Sequence, residues 1–260
     1  MLVFTAIMPH PPVSISGIGN PRELEALEKT LHSFGVLRQE LEKSDPDTLI
    51  VISPHGNLKP YAFVVNSSDP LVGSFANFGL DQTYEFANNF SFANKLAYAG
   101  NMNEIPVEMQ DGFLDHGSLI PLCHLLENIN PKVVHLSFSL LGYQQQYAYG
   151  QVIRNLIDKG EGGRVAVVAS ADLSHKLTPS SPAGYSPGAQ KFDQDIIHFL
   201  GSNDEANMLG LQPEATAEAA ECGVRSILIL LGILHGKKYE FDLLSYEFPF
   251  GIGYLTAKLV

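Results

Sequence analysis

Basic residues are scarce in this sequence. Its 260 residues include 16 Lys and Arg against 28 Asp and Glu, which gives a formal net charge of −12 at pH 7. Nonspecific binding to nucleic acid depends on Lys and Arg side chains that neutralise phosphates, and the chain contains no cluster of them. We therefore expect no nucleic-acid partner.

Cysteines and long apolar runs are also few. Cys123 and Cys222 are the only cysteines, too few for the disulfide framework of a small secreted domain. The longest apolar segment, residues 226–234, falls well short of the roughly 20 residues that span a bilayer. The opening stretch MLVFTAIMPHPP lacks the basic region of a signal peptide. We expect a cytoplasmic protein with no membrane partner.

The composition, with 45% hydrophobic and 17% charged residues, is typical of a folded globular chain. Short, β-branched and nearly continuous apolar runs predict strands that are buried on both faces. These predicted strands cover residues 3–7, 48–52, 61–65, 132–138, 164–169, 239–245 and 252–258. Helical patterns cover residues 21–43, 81–99, 118–128, 143–159, 189–200 and 214–234, the last with a break near Gly223.

The alternation of strands and helices predicts an α/β fold. We expect a single domain over residues 1–260, with a central, largely parallel or mixed β-sheet flanked by helices. In such sheets, ligands bind in the crevice outside the carboxyl ends of the strands, so the active-site cleft is expected there.

Histidines follow three of the predicted strands directly. His10 lies in MPHPP, His55 in SPHG and His175 in SADLSH. Because the carboxyl ends of parallel strands meet at one edge of a sheet, these histidines are expected to converge in one cleft. A fourth candidate, His116 in LDHGS, opens a predicted helix, where the helix dipole favours a neutral imidazole. The other histidines, including His135 inside a strand, are interpreted as structural.

A metal site needs more than two histidines, and the segment Glu221-Cys222-Gly223 offers two further ligands. Two histidines and one carboxylate on one face are typical of non-heme Fe(II) oxygenases, whereas a cysteine would favour copper or zinc. The alternative interpretation places Glu221 on an exposed helix face shared with Glu214, seven residues earlier. Spacing leaves the choice between Glu221 and Cys222 open.

The motifs together resemble a known family. MPHPP, SPHG, LDHGSLIPL, SADLSH and ECG occur in the order seen in the class III extradiol dioxygenase superfamily, with the LigB-like fold, over nearly the full chain. The sequence is most similar to the Memo-like, AmmeMemoRadiSam-associated branch of that superfamily. Each motif is short, so the resemblance depends on their combination.

The resemblance implies a role for each matching residue. His10 and His55 match the histidine ligands of Fe(II), Glu221 matches the carboxylate ligand, His175 matches the acid/base histidine, and His116 matches a histidine that contacts substrate. It implies ring cleavage of a catechol-type aromatic diol by O2.

One departure from that pattern concerns the third ligand. In Memo-like relatives a cysteine beside a glycine takes the third metal position, as Cys222-Gly223 would here. Adjacent helical residues point about 100° apart, so we expect only one of the two to be a ligand. We favour Glu221, with Cys222 as the alternative.

Two classes of function follow from these patterns. The first is an Fe(II)-dependent extradiol dioxygenase. The second is a Memo-like metal- or redox-binding protein without dioxygenase activity, which would use Cys222 and bind zinc or copper. A zinc-dependent hydrolase is a third option. The aromatic residues Phe75, Phe78 and Tyr84 are expected in the core rather than in a pocket. A homo-oligomer is compatible with the sequence, although no heptad indicates an interface.

Overall fold

The computed structural model describes residues 1–260. The strands are β1 (Leu2–Met8), β2 (Thr48–Ser53), β3 (Phe63–Asn66), β4 (Leu71–Phe75), β5 (Leu80–Phe86), β6 (Val107–Gln110), β7 (Lys132–Ser137), β8 (Val165–Ser170), β9 (Asp242–Glu247) and β10 (Tyr254–Lys258). The helices are α1 (Pro21–Ala26), α2 (Glu28–Ser44), α3 (Phe90–Met102), α4 (His116–Leu125), α5 (Tyr143–Asp158), α6 (Ala189–Gly201), α7 (Glu205–Leu209), α8 (Pro213–Ala219) and α9 (Val224–Leu234).

Eight of the strands form one mixed sheet in the order β6-β3-β7-β2-β8-β1-β10-β9. The four central strands, β7, β2, β8 and β1, run parallel. Strands β3 and β10 pair antiparallel with β7 and β1. Strands β4 and β5 form a separate two-stranded sheet. The predicted α/β class with a mixed central sheet flanked by helices is confirmed.

The central strands are apolar because helices cover both of their faces. Strands β2 and β8 are buried over their whole length. Ile50 and Ile52 point into one core with residues of α3, α5 and α9, whereas Leu49 and Val51 point into a second core with residues of α2 and α4. Because both alternating faces of these strands are buried, their interior positions are apolar, which explains the continuous apolar runs in the sequence.

The prediction of a helix over residues 81–99 is wrong in its first half. Residues Leu80–Phe86 form β5 and pair antiparallel with β4. Helix α3 begins at Phe90, where the side chain of Asn89 accepts a hydrogen bond from the backbone N–H of Phe92. Hydrogen bonding to β4, which the sequence did not predict, overrides the local helical pattern.

The other corrections concern element boundaries and missed strands. The predicted helix over residues 21–43 is divided at Leu27 into α1 and α2. Strand β6 is also absent from the prediction. The predicted break in the last helical region is confirmed, because α8 ends at Ala219 and α9 begins at Val224. None of the helices has the length and apolar character that crossing a bilayer requires.

His124 in α4 gives the fold a pH dependence that can be measured. Its Nε2 lies 3.0 Å from Ser14 Oγ, and its ring packs on Phe34 with centroids 4.8 Å apart. Burial, and then the nearby Arg38, lower the pKa of His124 to about 4. The unfolded chain has the higher pKa, so this contribution to stability is complete above the unfolded pKa and is lost as the pH falls.

We predict that His124→Gln removes part of the acid sensitivity of folding. Between pH 7.5 and pH 5, the wild type should lose about 2 kcal/mol of unfolding free energy that the variant does not lose. Urea denaturation at the two pH values measures this difference. His32→Gln, at an exposed position in α2, is the matched control and should behave as the wild type. An equal pH dependence in His124→Gln and wild type would contradict the prediction.

Candidate active site

Three parallel strands bring the predicted histidines to one edge of the sheet. His10 follows β1, His55 follows β2 and His175 follows β8, and β8 lies between β1 and β2. His116 joins them from the first residue of α4. Ring centroids lie 4.9 Å apart for His10 and His55, 4.5 Å for His55 and His116, and 5.6 Å for His10 and His116.

Hydrogen bonds set the tautomer of His10, whose side chain is buried. Ser170 Oγ donates its proton to the carbonyl oxygen of Gly117. It therefore accepts from Nδ1–H of His10, 2.9 Å away. With the proton on Nδ1, Nε2 of His10 presents its lone pair to the cleft, as a metal-binding imidazole does.

The donor atoms around this lone pair have the spacing of a metal-ligand set. His10 Nε2 lies 3.1 Å from His55 Nε2, 3.6 Å from Cys222 Sγ and 3.5 Å from Asp172 Oδ2. Right-angled to tetrahedral metal sites with ordinary bond lengths separate two imidazole nitrogens by about 2.8–3.4 Å, and a nitrogen and a sulfur by about 3.1–3.6 Å. Each of these neighbours of His10 therefore lies at a distance that fits shared coordination of a metal ion with His10, and His55 and Cys222 belong to different ligand groups.

Two overlapping groups of side chains have all their ligand atoms within 4.8 Å of one another. The first contains His10, His55 and His116, and the second contains His10, Asp172 and Cys222. His10 belongs to both groups, so it is the residue around which a metal site would form.

Burial favours the neutral forms of His10, Asp172 and Cys222. Burial, then the neighbouring His116 and His175, lower the pKa of His10 to about 3, although the Asp115 carboxylate opposes the change. Burial raises the pKa of Asp172 to about 6 and that of the Cys222 thiol well above its usual value. A bound metal cation would favour the neutral imidazoles and the ionised carboxylate and thiol.

His175 is half-buried beside the cluster and belongs to neither ligand group. Its Nδ1 donates to the carbonyl oxygen of Leu173 at 3.0 Å, and its backbone N–H donates to Ala219. The first bond leaves the lone pair on Nε2. Nε2 is therefore available to accept a proton.

Glu221 is not brought together with the histidines. Its Oε2 accepts a hydrogen bond from the backbone N–H of Val224 at 2.6 Å, and the side chain lines a separate cavity. Burial raises the pKa of Glu221 to about 7. The exposed helix face shared with Glu214 does not exist either, because α8 ends at Ala219.

A left-handed residue explains why Glu221 and Cys222 point to different places. Ala220, at φ 55° and ψ 40°, turns the chain between α8 and α9. Gly223 then packs so close to β8 that an added Cβ would lie 2.5 Å from the Ala171 Cβ. This close approach brings the Cys222 side chain against His10. The backbone N–H of Cys222 donates to the carbonyl oxygen of Asp172.

Sequence reasoning missed the contribution of Asp172. Asp172 Oδ2 lies beside His10 Nε2. Asp172 Oδ1 accepts a hydrogen bond from the backbone N–H of His10 at 2.9 Å. It therefore ties the end of β8 to the end of β1. The signal was present, because Asp172 stands in the SADLSH motif three residues before His175.

Asp115 and His135 form a buried pair beneath His116. Asp115 Oδ2 lies 3.2 Å from His135 Nε2, and Oδ1 accepts from Ser53 Oγ and from the backbone N–H of Ser118 at 3.1 Å. Burial opposes ionisation, yet the bonds from His135 and Ser53 hold the pKa of Asp115 well below its usual range. His135 is the satisfied core residue that the sequence predicted, and it also orients the Asp115 cap of α4.

An aromatic side chain borders the cluster on its open side. Phe78, 38% exposed, meets the His116 ring edge-on with centroids 5.3 Å apart. Phe75 is buried in the core, as predicted, whereas Phe78 is not. The cleft therefore offers a metal-binding set, a proton acceptor and an apolar wall.

Comparison with known families gives a match over nearly the whole chain. Residues 4–256 match the LigB model, described as the catalytic LigB subunit of aromatic ring-opening dioxygenase. A curated relative, Protein CA_C1420 of Clostridium acetobutylicum, is 30% identical over 97% of this chain and 56% of its own length. The chain therefore spans about half the length of that relative.

A solved structure shares the fold. The uncharacterized protein JW3007 from Escherichia coli K12 superposes with a TM-score of 0.70, at 18% sequence identity. The alignment covers 99% of this chain and 100% of that chain.

We predict that Asp115→Ala destabilises the protein by about 3 kcal/mol, because it removes the cap of α4 and leaves His135 and Ser53 without their acceptor. Ser118→Ala retains the carboxylate and should cost about 1 kcal/mol. Urea denaturation measures both values. Equal costs for the two variants would show that the Asp115 network contributes little beyond an ordinary hydrogen bond.

Proposed function

We propose an activity for this chain on the premise that it belongs to the LigB family, the catalytic subunits of aromatic ring-opening dioxygenases. The proposed activity is that of a metal-dependent oxygenase, which opens the ring of a catechol-type aromatic diol with O2. The observation that carries the proposal is the position of His10 Nε2, which lies 3.1 Å from His55 Nε2 and 3.6 Å from Cys222 Sγ and belongs to both ligand groups.

His10 is the proposed central ligand. His55 and His116 complete one candidate ligand group with it, and Asp172 and Cys222 complete the other. Cys222 takes the place expected for Glu221, because only Cys222 reaches His10. Fe(II) is the proposed metal, and it would supply the redox chemistry that activates dioxygen. Zinc or copper would fit the thiolate as well.

The protein's own groups would bind the diol and move its proton. The Phe78 ring gives an aromatic substrate an apolar surface, and His116 lies between that ring and His55. His175 would accept a phenolic proton at Nε2, since Nδ1–H is held by the Leu173 carbonyl oxygen. Protonated His175 could return that proton later in the reaction.

A second function deserves a test because of Cys222. A thiol in van der Waals reach of His10 also suits a metal- or redox-binding protein without oxygenase activity, since thiolates favour softer ions such as copper and zinc. Metal content and oxygen uptake distinguish the two functions.

We predict that Cys222→Ser lowers metal affinity by at least about 100-fold, beyond the 10–100-fold typical of an outer-shell partner. Glu221→Gln keeps a side-chain acceptor for the Val224 N–H and should bind metal as the wild type does. Elemental analysis after anaerobic Fe(II) reconstitution and gel filtration measures both. The reverse ranking would restore Glu221 as the ligand.

We predict that His175→Ala keeps its metal and loses catechol-dependent oxygen uptake by about 10²–10⁴-fold, the range of a lost general acid/base. Uptake by the Fe(II)-loaded protein against a panel of catechols is the measurement, with metal content as its control. Loss of metal would make His175 a ligand. Stoichiometric zinc or copper, with no uptake on any diol by the wild type, would favour the binding function.

A further inference from the structure

A second cavity lies behind the segment that carries Cys222. Its volume is about 360 Å³, at the lower end of the range for small-molecule sites. The walls come from the loop after β7, from α8 and from the first turn of α9. None of the histidines lines it. It is therefore separate from the proposed metal site.

Arg225 carries the positive charge of this cavity and makes no ion pair with an acidic side chain. Its guanidinium carbon lies 5.7 Å from the ring centroid of Phe138 and 5.5 Å from that of Tyr143. Its Nε is buried without a hydrogen-bond partner, and Arg225 belongs to none of the ion pairs of the molecule. Two aromatic rings hold the group in place while its donors stay free.

The other partly buried arginines of the fold show how unusual this is, because each of them has an acceptor. Arg38 pairs with Glu127, and Arg154 pairs with Asp158. Arg164 donates to the carbonyl oxygens of Ser44 and Asp45. A desolvated guanidinium donor without an acceptor is costly. The buried Nε and the absence of any hydrogen bond from the rest of the guanidinium therefore leave Arg225 able to bind an acceptor in the cavity.

Glu221, the other ionisable group in the cavity wall, already has a partner. Its carboxyl accepts a hydrogen bond from the backbone N–H of Val224 at the start of α9, at 2.6 Å. It forms no ion pair with Arg225, and burial raises its pKa to about 7 although the nearby Arg225 charge lowers it, so the carboxyl offers Arg225 only part of a negative charge near neutral pH. The unsatisfied charge in the cavity is therefore the positive one, so the expected ligand is an anion rather than a cation.

The remaining walls are mostly apolar. Leu141, Pro213 and Ala217 line the cavity beside the ring of Tyr143. The Tyr143 hydroxyl donates to Thr216 Oγ1 at 2.9 Å, which fixes the ring against α8. Such walls would bind a hydrocarbon body and would gain nothing from an inorganic anion.

We propose that this cavity binds a small organic carboxylate, with the carboxylate group on the Arg225 guanidinium and the apolar body against Leu141, Pro213 and Ala217. A planar guanidinium matches a carboxylate in a two-point hydrogen-bonded contact. The site is distinct from the metal cluster, so this proposal stands or falls independently of the proposed function.

The test is a titration with four probes. Binding is measured by the methyl NMR signals of Leu141 and Ala217 and by calorimetry. The probes are 4-methylbenzoate, its amide 4-methylbenzamide, the cation 4-methylbenzylammonium, and acetate, which lacks the apolar body. 4-Methylbenzoate should bind with a dissociation constant on the order of 1 mM or below. The amide should bind at least about tenfold more weakly than 4-methylbenzoate, because it cannot form the charged hydrogen bond with Arg225. Acetate and the ammonium probe should not move the methyl signals.

Arg225→Gln should weaken 4-methylbenzoate binding by roughly 10–100-fold, and Arg225→Lys should weaken it as well, because a lysine lacks the planar fork. Arg22→Gln, at an exposed position, is the matched control and should leave binding unchanged. If the Arg225 variants do not fold, the four probes on the wild type decide the question alone. Equal binding of acid and amide, preferential binding of the cation, or shifts confined to the His10 and His55 rings would overturn the proposal.

Discussion

The candidate site depends on the parallel pairing of β1 and β2 with the two edges of β8. The ladders run in register to the strand ends, with Met8 opposite Ser170 on one side and Ile52 opposite Ala169 on the other. Parallel strands in register deliver their following residues to the same edge at the same height. The distance of 3.1 Å between the His10 and His55 ring nitrogens follows from this register, although 45 residues separate them in sequence.

Burial of so many polar groups at that edge requires a supporting network. Ser170 holds the protonated nitrogen of His10, Asp172 holds its backbone, and the pair of Asp115 and His135 holds the helix end that carries His116. Each bond satisfies a group that would otherwise be costly to bury. The same bonds limit rotation of the imidazoles, which is what a preorganised metal site needs.

The two residues of the Glu221-Cys222 segment face two different sites. The left-handed turn at Ala220 and the close packing of Gly223 on Ala171 orient the two side chains in different directions. Cys222 meets His10, whereas Glu221 faces the cavity that contains Arg225. If a carboxylate binds in that cavity, it would lie one residue from a proposed metal ligand, and the shared backbone offers a physical connection between the two sites.

The sequence by itself determined the buried central strands and the positions of His10, His55 and His175 at their ends, because continuous apolar runs and the residues that follow them are local features. It did not determine β5, whose strand conformation depends on pairing with the distant β4. It also left the choice between Glu221 and Cys222 open, because helical periodicity carries no information about a turn at Ala220. Only the tertiary structure placed Asp172 beside His10 and left Arg225 between two rings without an ion pair, since both depend on packing between segments that are far apart in sequence.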